Sequence, residues 1–111
     1  MASLDFTQFF NSLKNGVKQI AADQFGDFLK SAVADGEKII TELKDELEKW
    51  TVQLVNKEMT KDEYEYCVLS GVDLLKMVAL KDAGLAQVRI DSFKSAVTTL
   101  IVKSAGSLIP L

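Results

Sequence analysis

Ten apolar residues in this chain keep an eleven-residue interval, five in each half: Phe6, Val17, Phe28, Ile39 and Trp50, then Tyr64, Leu75, Ala86, Val97 and Leu108. Eleven residues fill three turns at about 3.67 residues per turn, close to the natural 3.6 of the α-helix. A stripe with that interval does not drift around the helix axis. The pattern predicts two long, nearly straight amphipathic arms. Proline occurs once, at Pro110, so nothing forbids helix before it.

A second column, four residues on, is apolar throughout the first half: Phe10, Ala21, Ala32, Leu43 and Leu54. Phe25 and Leu47 extend one edge, and Leu29, Val33, Ile40 and Val55 widen the other. Gly16 and Gly26 fall on the opposite face with Asp27, Lys38 and Lys49, which reads as the water side. In the second half the matching column is Val68, Ala79, Ile90 and Ile101.

The best boundary lies at Thr60-Lys61-Asp62-Glu63, which has the form of a capping box. Asp62 and Glu63 also suit the positive end of a helix dipole. The arms then run over about 4–57 and about 61–104, with 105–111 as an apolar tail. The short connection from Asn56 to Met59 brings them back antiparallel. Two other signals compete with unbroken arms. Asp35-Gly36 could cap a new helix, but Phe28, Ala32, Ile39 and Leu43 stay on one line across it, so a kink near 35–36 is expected rather than a reversal. Gly84 has the form of a helix stop, with Leu85 folding back on Leu80 as in a Schellman motif. The next cap residue is Asp91, so Gly84 reads as a weak point within one helix.

Arms of about 50 residues are about 75 Å long, and a single seam between them buries too little. From Tyr64 to Leu80 the chain is apolar nearly all round, with Cys67, Val68, Leu69, Val72, Leu74, Leu75, Met77 and Val78. A helix apolar on most sides is buried on most sides. The expected architecture is all-α: a long antiparallel helical hairpin, one domain over 1–111, paired with a second copy into a homodimeric four-helix bundle. The alternative is a compact four-helix monomer, folded once more at Asp35-Gly36 and at Gly84.

The chain holds no histidine, which removes the usual general base and the Glu-x-x-His pattern of di-metal bundles. The acid pair Glu42 and Glu46 reads as part of a solvated face laced by Lys44–Glu48 and Asp45–Lys49 spacings. No catalytic, metal or cofactor residue is expected, and no enzyme. Sixteen acidic residues against 13 basic leave a net charge of −3, with Arg89 the sole arginine, which argues against nucleic acid. Cys67 is the only cysteine and has apolar sequence neighbours, so it reads as a structural thiol in a reducing compartment. The N-terminal residues lack the pattern of a signal peptide, and the apolar run from Ala96 to Val102 is short for a membrane span. A cytoplasmic location is the expectation.

Asp82 and Arg89 flank Leu85 beside the apolar stripe. They are candidates for fixing helix register through ion pairs, or for anchoring an anionic group of a partner. Phe6, Phe9, Phe10, Trp50, Leu69 and Leu80 are the candidate interface. The functional expectation is a non-enzymatic helical interaction and assembly module acting as a homo-oligomer, with room for an unidentified protein partner. The alternative is an amphipathic lipid-surface or apolar-ligand binder, a membrane being disfavoured by the polar face, which lacks a lysine excess.

Overall fold

The computed structural model describes residues 6–108; the expected start of the first arm at residue 4 and the last three residues of the expected tail over 105–111 lie outside these residues, while Ala105 and Gly106, placed in that tail, belong to the last helix. The chain is all-helical and compact, measuring 47 × 23 × 21 Å. Among the described residues six helices follow one another: α1 Phe6–Gln24, α2 Leu29–Glu42, α3 Lys44–Val55, α4 Lys61–Asp73, α5 Val78–Asp82 and α6 Gln87–Gly106, with a 3₁₀ turn at Gly26–Phe28 between the first two. A paired hairpin of 75 Å arms does not fit these dimensions. Neither 4–57 nor 61–104 is one helix, and that expectation is corrected.

The first arm folds back at residues 25–28 rather than kinking at 35–36. The α1 ladder ends with Phe25 N–H donating to Ala21 O at 3.0 Å, and Phe28 N–H then reaches Phe25 O at 2.8 Å. Leaving the helix there buries Phe25, whose ring meets Phe93 edge-on at 5.3 Å. The reversal also lays α2 along α1, so the apolar stripe of each covers that of the other. Phe10, Ala21, Ala32, Leu43 and Leu54 are all buried, as are Val17 and Ile39. In the first half the stripe thus marks the inward face of each segment, whether or not the helix continues.

Asp35-Gly36 sits within an unbroken α2. A Cβ on Gly36 would collide with Val17 Cγ1 and stand 3.3 Å from Phe93 Cζ. The glycine is there so that α1 and α6 can approach α2 closely. Gly16 likewise faces Leu100 of α6, correcting its placement on the water side, whereas Gly26 faces open space. Between α2 and α3 the chain bends at Leu43 without losing its ladder: Leu43 N–H donates to Ile39 O and Leu47 N–H to Leu43 O, at 3.0 and 2.7 Å.

The Thr60 capping box forms. Glu63 N–H donates to Thr60 Oγ1 at 3.1 Å, and Thr60 N–H to Glu63 Oε1 at 2.9 Å. The Thr60 backbone N–H, and after it the Thr60 hydroxyl, hold the Glu63 carboxyl below its ordinary range. The connection over 56–60 returns the chain so that α4 runs back along α3. There Thr51 Oγ1 and Tyr64 Oη lie 2.9 Å apart inside the core. Contacts of Gly106 with Lys61 and of Asp73 with Lys94 set α6 antiparallel to α4, and Leu100 over Gly16 with Phe93 on Phe25 sets it antiparallel to α1.

Gly84 stops a helix outright, correcting its reading as a weak point within one. It adopts φ +95°, its N–H donates to Lys81 O, and Leu85 N–H reaches back to Leu80 O, both at 3.0 Å. That is a Schellman closure. The second-half stripe degrades in this stretch: Ala79 is half-buried and Ala86 exposed, while Tyr64, Val68, Ile90, Val97 and Ile101 are buried.

Candidate functional site

The corner where α4, α5 and α6 meet combines a cleft with exposed apolar side chains. The helix α4 ends at Asp73, and Leu74 at its C-cap is 85% exposed. Leu75 N–H closes the turn onto Val72 O at 3.0 Å, and the chain then enters α5 through Met77, whose side chain is buried. Val78, on the first turn of α5, is 49% exposed. These residues border a cleft of about 590 Å³ with Ile90 at its base side and Asp73, Lys76, Lys81 and Asp82 among its polar lining. Lys94 Nζ lies 3.5 Å from Asp73 O, at the α4 C-terminus where a cation is favoured.

Beneath this corner α5 is held by α2. The Asp35 side chain is only 3% exposed, and its two oxygens accept from Ala79 N–H at 3.2 Å and Leu80 N–H at 2.8 Å. It therefore caps a helix 44 residues further along the chain. Lys38, one turn on, donates to Lys76 O at 3.0 Å.

Asp82 and Arg89 are both exposed, and within the described chain no ion pair joins them. Arg89 instead crosses to α1. Its Nη2 donates to Gln24 O at 3.1 Å, and its guanidinium lies 5.3 and 5.7 Å from the ring centroids of Phe25 and Phe28. It thereby closes the C-terminus of α1 at the unexpected reversal. Of the candidate interface residues, Phe9, Phe10 and Leu80 are buried within one chain. Phe6 and Trp50 are half-buried against the core, the three phenylalanines forming one ring cluster with centroids 5.3 to 6.3 Å apart. Leu69 is exposed, one turn from the exposed Tyr66 on the outer face of α4.

The remaining reactive side chains sit in structural settings. Tyr64 is fully buried, and loss of solvent pushes its phenol up to about 12 against the opposing pull of the Thr51 hydroxyl. Cys67 is a half-buried free thiol. Glu42 and Glu46 are exposed. Among the described residues no three His, Cys, Asp or Glu side chains gather as metal ligands would, and no helix is long and apolar enough to cross a membrane.

Sequence reasoning missed Asp35 and Lys38 as ties to α5, and Leu74 and Val78 as outward residues. The available signals were an acid beside the apolar stripe and a stretch apolar on more sides than one seam can cover. Comparison with family models, with curated proteins and with solved structures finds no match to this chain.

Proposed function

We propose that the chain is a non-enzymatic helical assembly module that pairs with a second copy of itself through the α4–α5–α6 corner. The observation that carries this reading is Leu74, almost fully exposed beside Val78 on the border of a cleft. Leucine side chains grouped with other apolar residues at a surface are the ordinary material of an interface core. The polar lining supports a second copy as the occupant. A two-fold contact needs one patch to be complementary to itself. Here the acids Asp73 and Asp82 line the cleft together with the lysines Lys76, Lys81 and Lys94, so each acid has an opposite charge available across a two-fold axis. Such a dimer pairs two compact helical bundles rather than two open hairpins.

The competing reading, a lipid-surface or apolar-ligand binder, needs a free amphipathic face. The face that suits it, Phe10, Ala21, Ala32, Leu43 and Leu54, is spent inside the fold. The absence of histidine from the chain weighs against acid–base chemistry, and its net charge of −3 against nucleic acid. A single cysteine suits the reducing environment of a cytoplasm.

Sedimentation velocity over a micromolar concentration series tests the proposal. The wild type is expected to reach dimer mass, and Leu74→Glu to remain monomeric with an unchanged helical circular dichroism spectrum. A wild type that stays monomeric throughout overturns self-pairing.

A further inference from the structure

We infer that residues 74–86, the segment that carries α5, form a strap that lifts from the body while the other helices stay folded. The inference goes beyond self-pairing, since every contact it uses lies within one chain. Its first support is that α5 cannot hold itself. Five residues are far too few for a helix to persist in water on its own, and its N-cap, Met77, makes no side-chain cap bond.

The second support is the manner in which α2 holds the strap. Asp35 takes the Ala79 and Leu80 amides, and Lys38, three residues later, gives a hydrogen bond to the Lys76 carbonyl. One anion and one cation on α2 thus engage donors and an acceptor of the strap backbone. Backbone groups that most short segments satisfy locally are here satisfied by two side chains of another element. The clamp is a compact device: once it loosens, the Ala79 and Leu80 amides have no other partner, and only three buried side chains still hold the strap.

The third support is the distribution of burial. Met77, Leu80 and Leu85 are the buried side chains of the strap, whereas Lys81, Asp82, Ala83, Gly84 and Ala86 are all exposed. By contrast α6 buries Ile90, Phe93, Val97, Thr98, Ile101, Val102 and Ala105. Segments with few buried contacts open at lower free energy than the core they cover. Both ends are also formed to give way. Leu74 follows the last turn of α4, and Gly84 occupies a left-handed conformation just before α6. When the strap lifts, it uncovers the seat of Leu80 on α2 and the adjoining side of Ile90, with the Asp35 carboxylate at the edge.

Native-state hydrogen exchange on the full chain, read by peptide mass spectrometry at a dilution where sedimentation gives the monomer, tests this without protection of the strap by pairing. In the wild type the amides of 78–85 are expected to show protection at least tenfold below those of central α6, with a weaker dependence on denaturant. Asp35→Asn should lower their protection a further tenfold to a hundredfold or so, while α1, α4 and central α6, which share the loss through global unfolding, stay more protected than the strap and keep a steeper denaturant dependence. Lys38→Met alters a less buried side chain and is expected to give the same pattern at smaller amplitude, so it carries the test if the Asp35 variant does not fold. Equal protection and equal denaturant dependence across the strap and α6 in the wild type would show that the strap opens only with global unfolding, and overturns the inference. No loss of protection in the strap of the Lys38 variant, or a strap there as protected and as sensitive to denaturant as α6, overturns it as well.

Discussion

Two helices begin in the middle of the chain, α4 at Lys61 and α5 at Val78, and their first amides are satisfied in opposite ways. At α4 the cap is Thr60, adjacent in sequence, with Glu63 completing a box on the exposed surface. At α5 the cap is Asp35, buried and on another helix. The first is a contract among four neighbouring residues and holds in any fold where α4 is helical. The second exists only once α2 and α5 have met. A local cap therefore nucleates structure, and a distant one records that the tertiary structure has formed.

The comparison predicts a hierarchy of losses. Asp35→Ala leaves two amides without a partner in a buried site and is expected to lower stability by about 3 kcal/mol in urea unfolding. A cost no larger than that of losing Thr60 would break the distinction between the two caps. Burial of the Tyr64 phenol between elements gives a loss at alkaline pH. The unfolded phenol ionises near 10 and the folded one near 12, so the folded state keeps its proton longer. The stability this represents is complete below about pH 10 and drains away as pH rises towards 12, amounting to roughly 2 to 3 kcal/mol. Tyr64→Phe should remove that slope from a series of unfolding curves; a variant with the wild-type slope would trace it to other groups.

Smaller effects belong to the local features. Thr60→Ala should cost about 1 kcal/mol. Acid acts on the same cap: Glu63 titrates below the ordinary carboxylate range in the folded chain, so its contribution is present above pH about 4.5 and is lost as pH falls through the folded value. An acid-side loss that survives Glu63→Gln undiminished would place it elsewhere. Smallest is a gain. The end of α3 closes as Gly84 does, with Glu58 N–H on Gln53 O at 2.8 Å, but the left-handed position is held by Lys57 at φ 64°. Lys57→Gly should raise stability by about 0.5 to 1 kcal/mol, and an unchanged or lower urea midpoint would show the lysine side chain to be engaged.

What could be read from the sequence divides along the same line. The capping box, the 56–60 connection and the inward columns of the first half depend on residues near one another, and the structure contains them. The turn at 25–28 was harder to foresee, although Gly26-Asp27 between two phenylalanines is as good a break signal as Asp35-Gly36. The two pairs are alike locally; their surroundings separate them. Gly26 faces open space and lets the chain turn, while Gly36 faces Val17 and Phe93 and keeps α2 straight and close-packed. At Gly84 the stop signature was visible in Leu80 and Leu85, yet no cap residue was in place to restart a helix, and α6 indeed begins from Ala86 without a side-chain cap. Its start is secured by packing, which periodicity does not encode. For the candidate site, the apolar excess over 64–80 is legible in the sequence, and Asp35 is legible as a cap, but of its own helix and not of one 44 residues away.

The position of Trp50 has a practical consequence. It is the sole tryptophan, and its ring packs where α3 meets α4, with Cη2 3.6 Å from where a Cβ on Gly71 would stand. Intrinsic emission therefore watches that one seam. A fluorescence melt of this protein can trace a clean sigmoid while α5 has already come away, and a far-ultraviolet signal, in which five residues weigh little, will agree with it. Coincidence of those two optical probes is a weaker certificate of two-state behaviour here than in a chain whose fluorophore lies next to its least secured part.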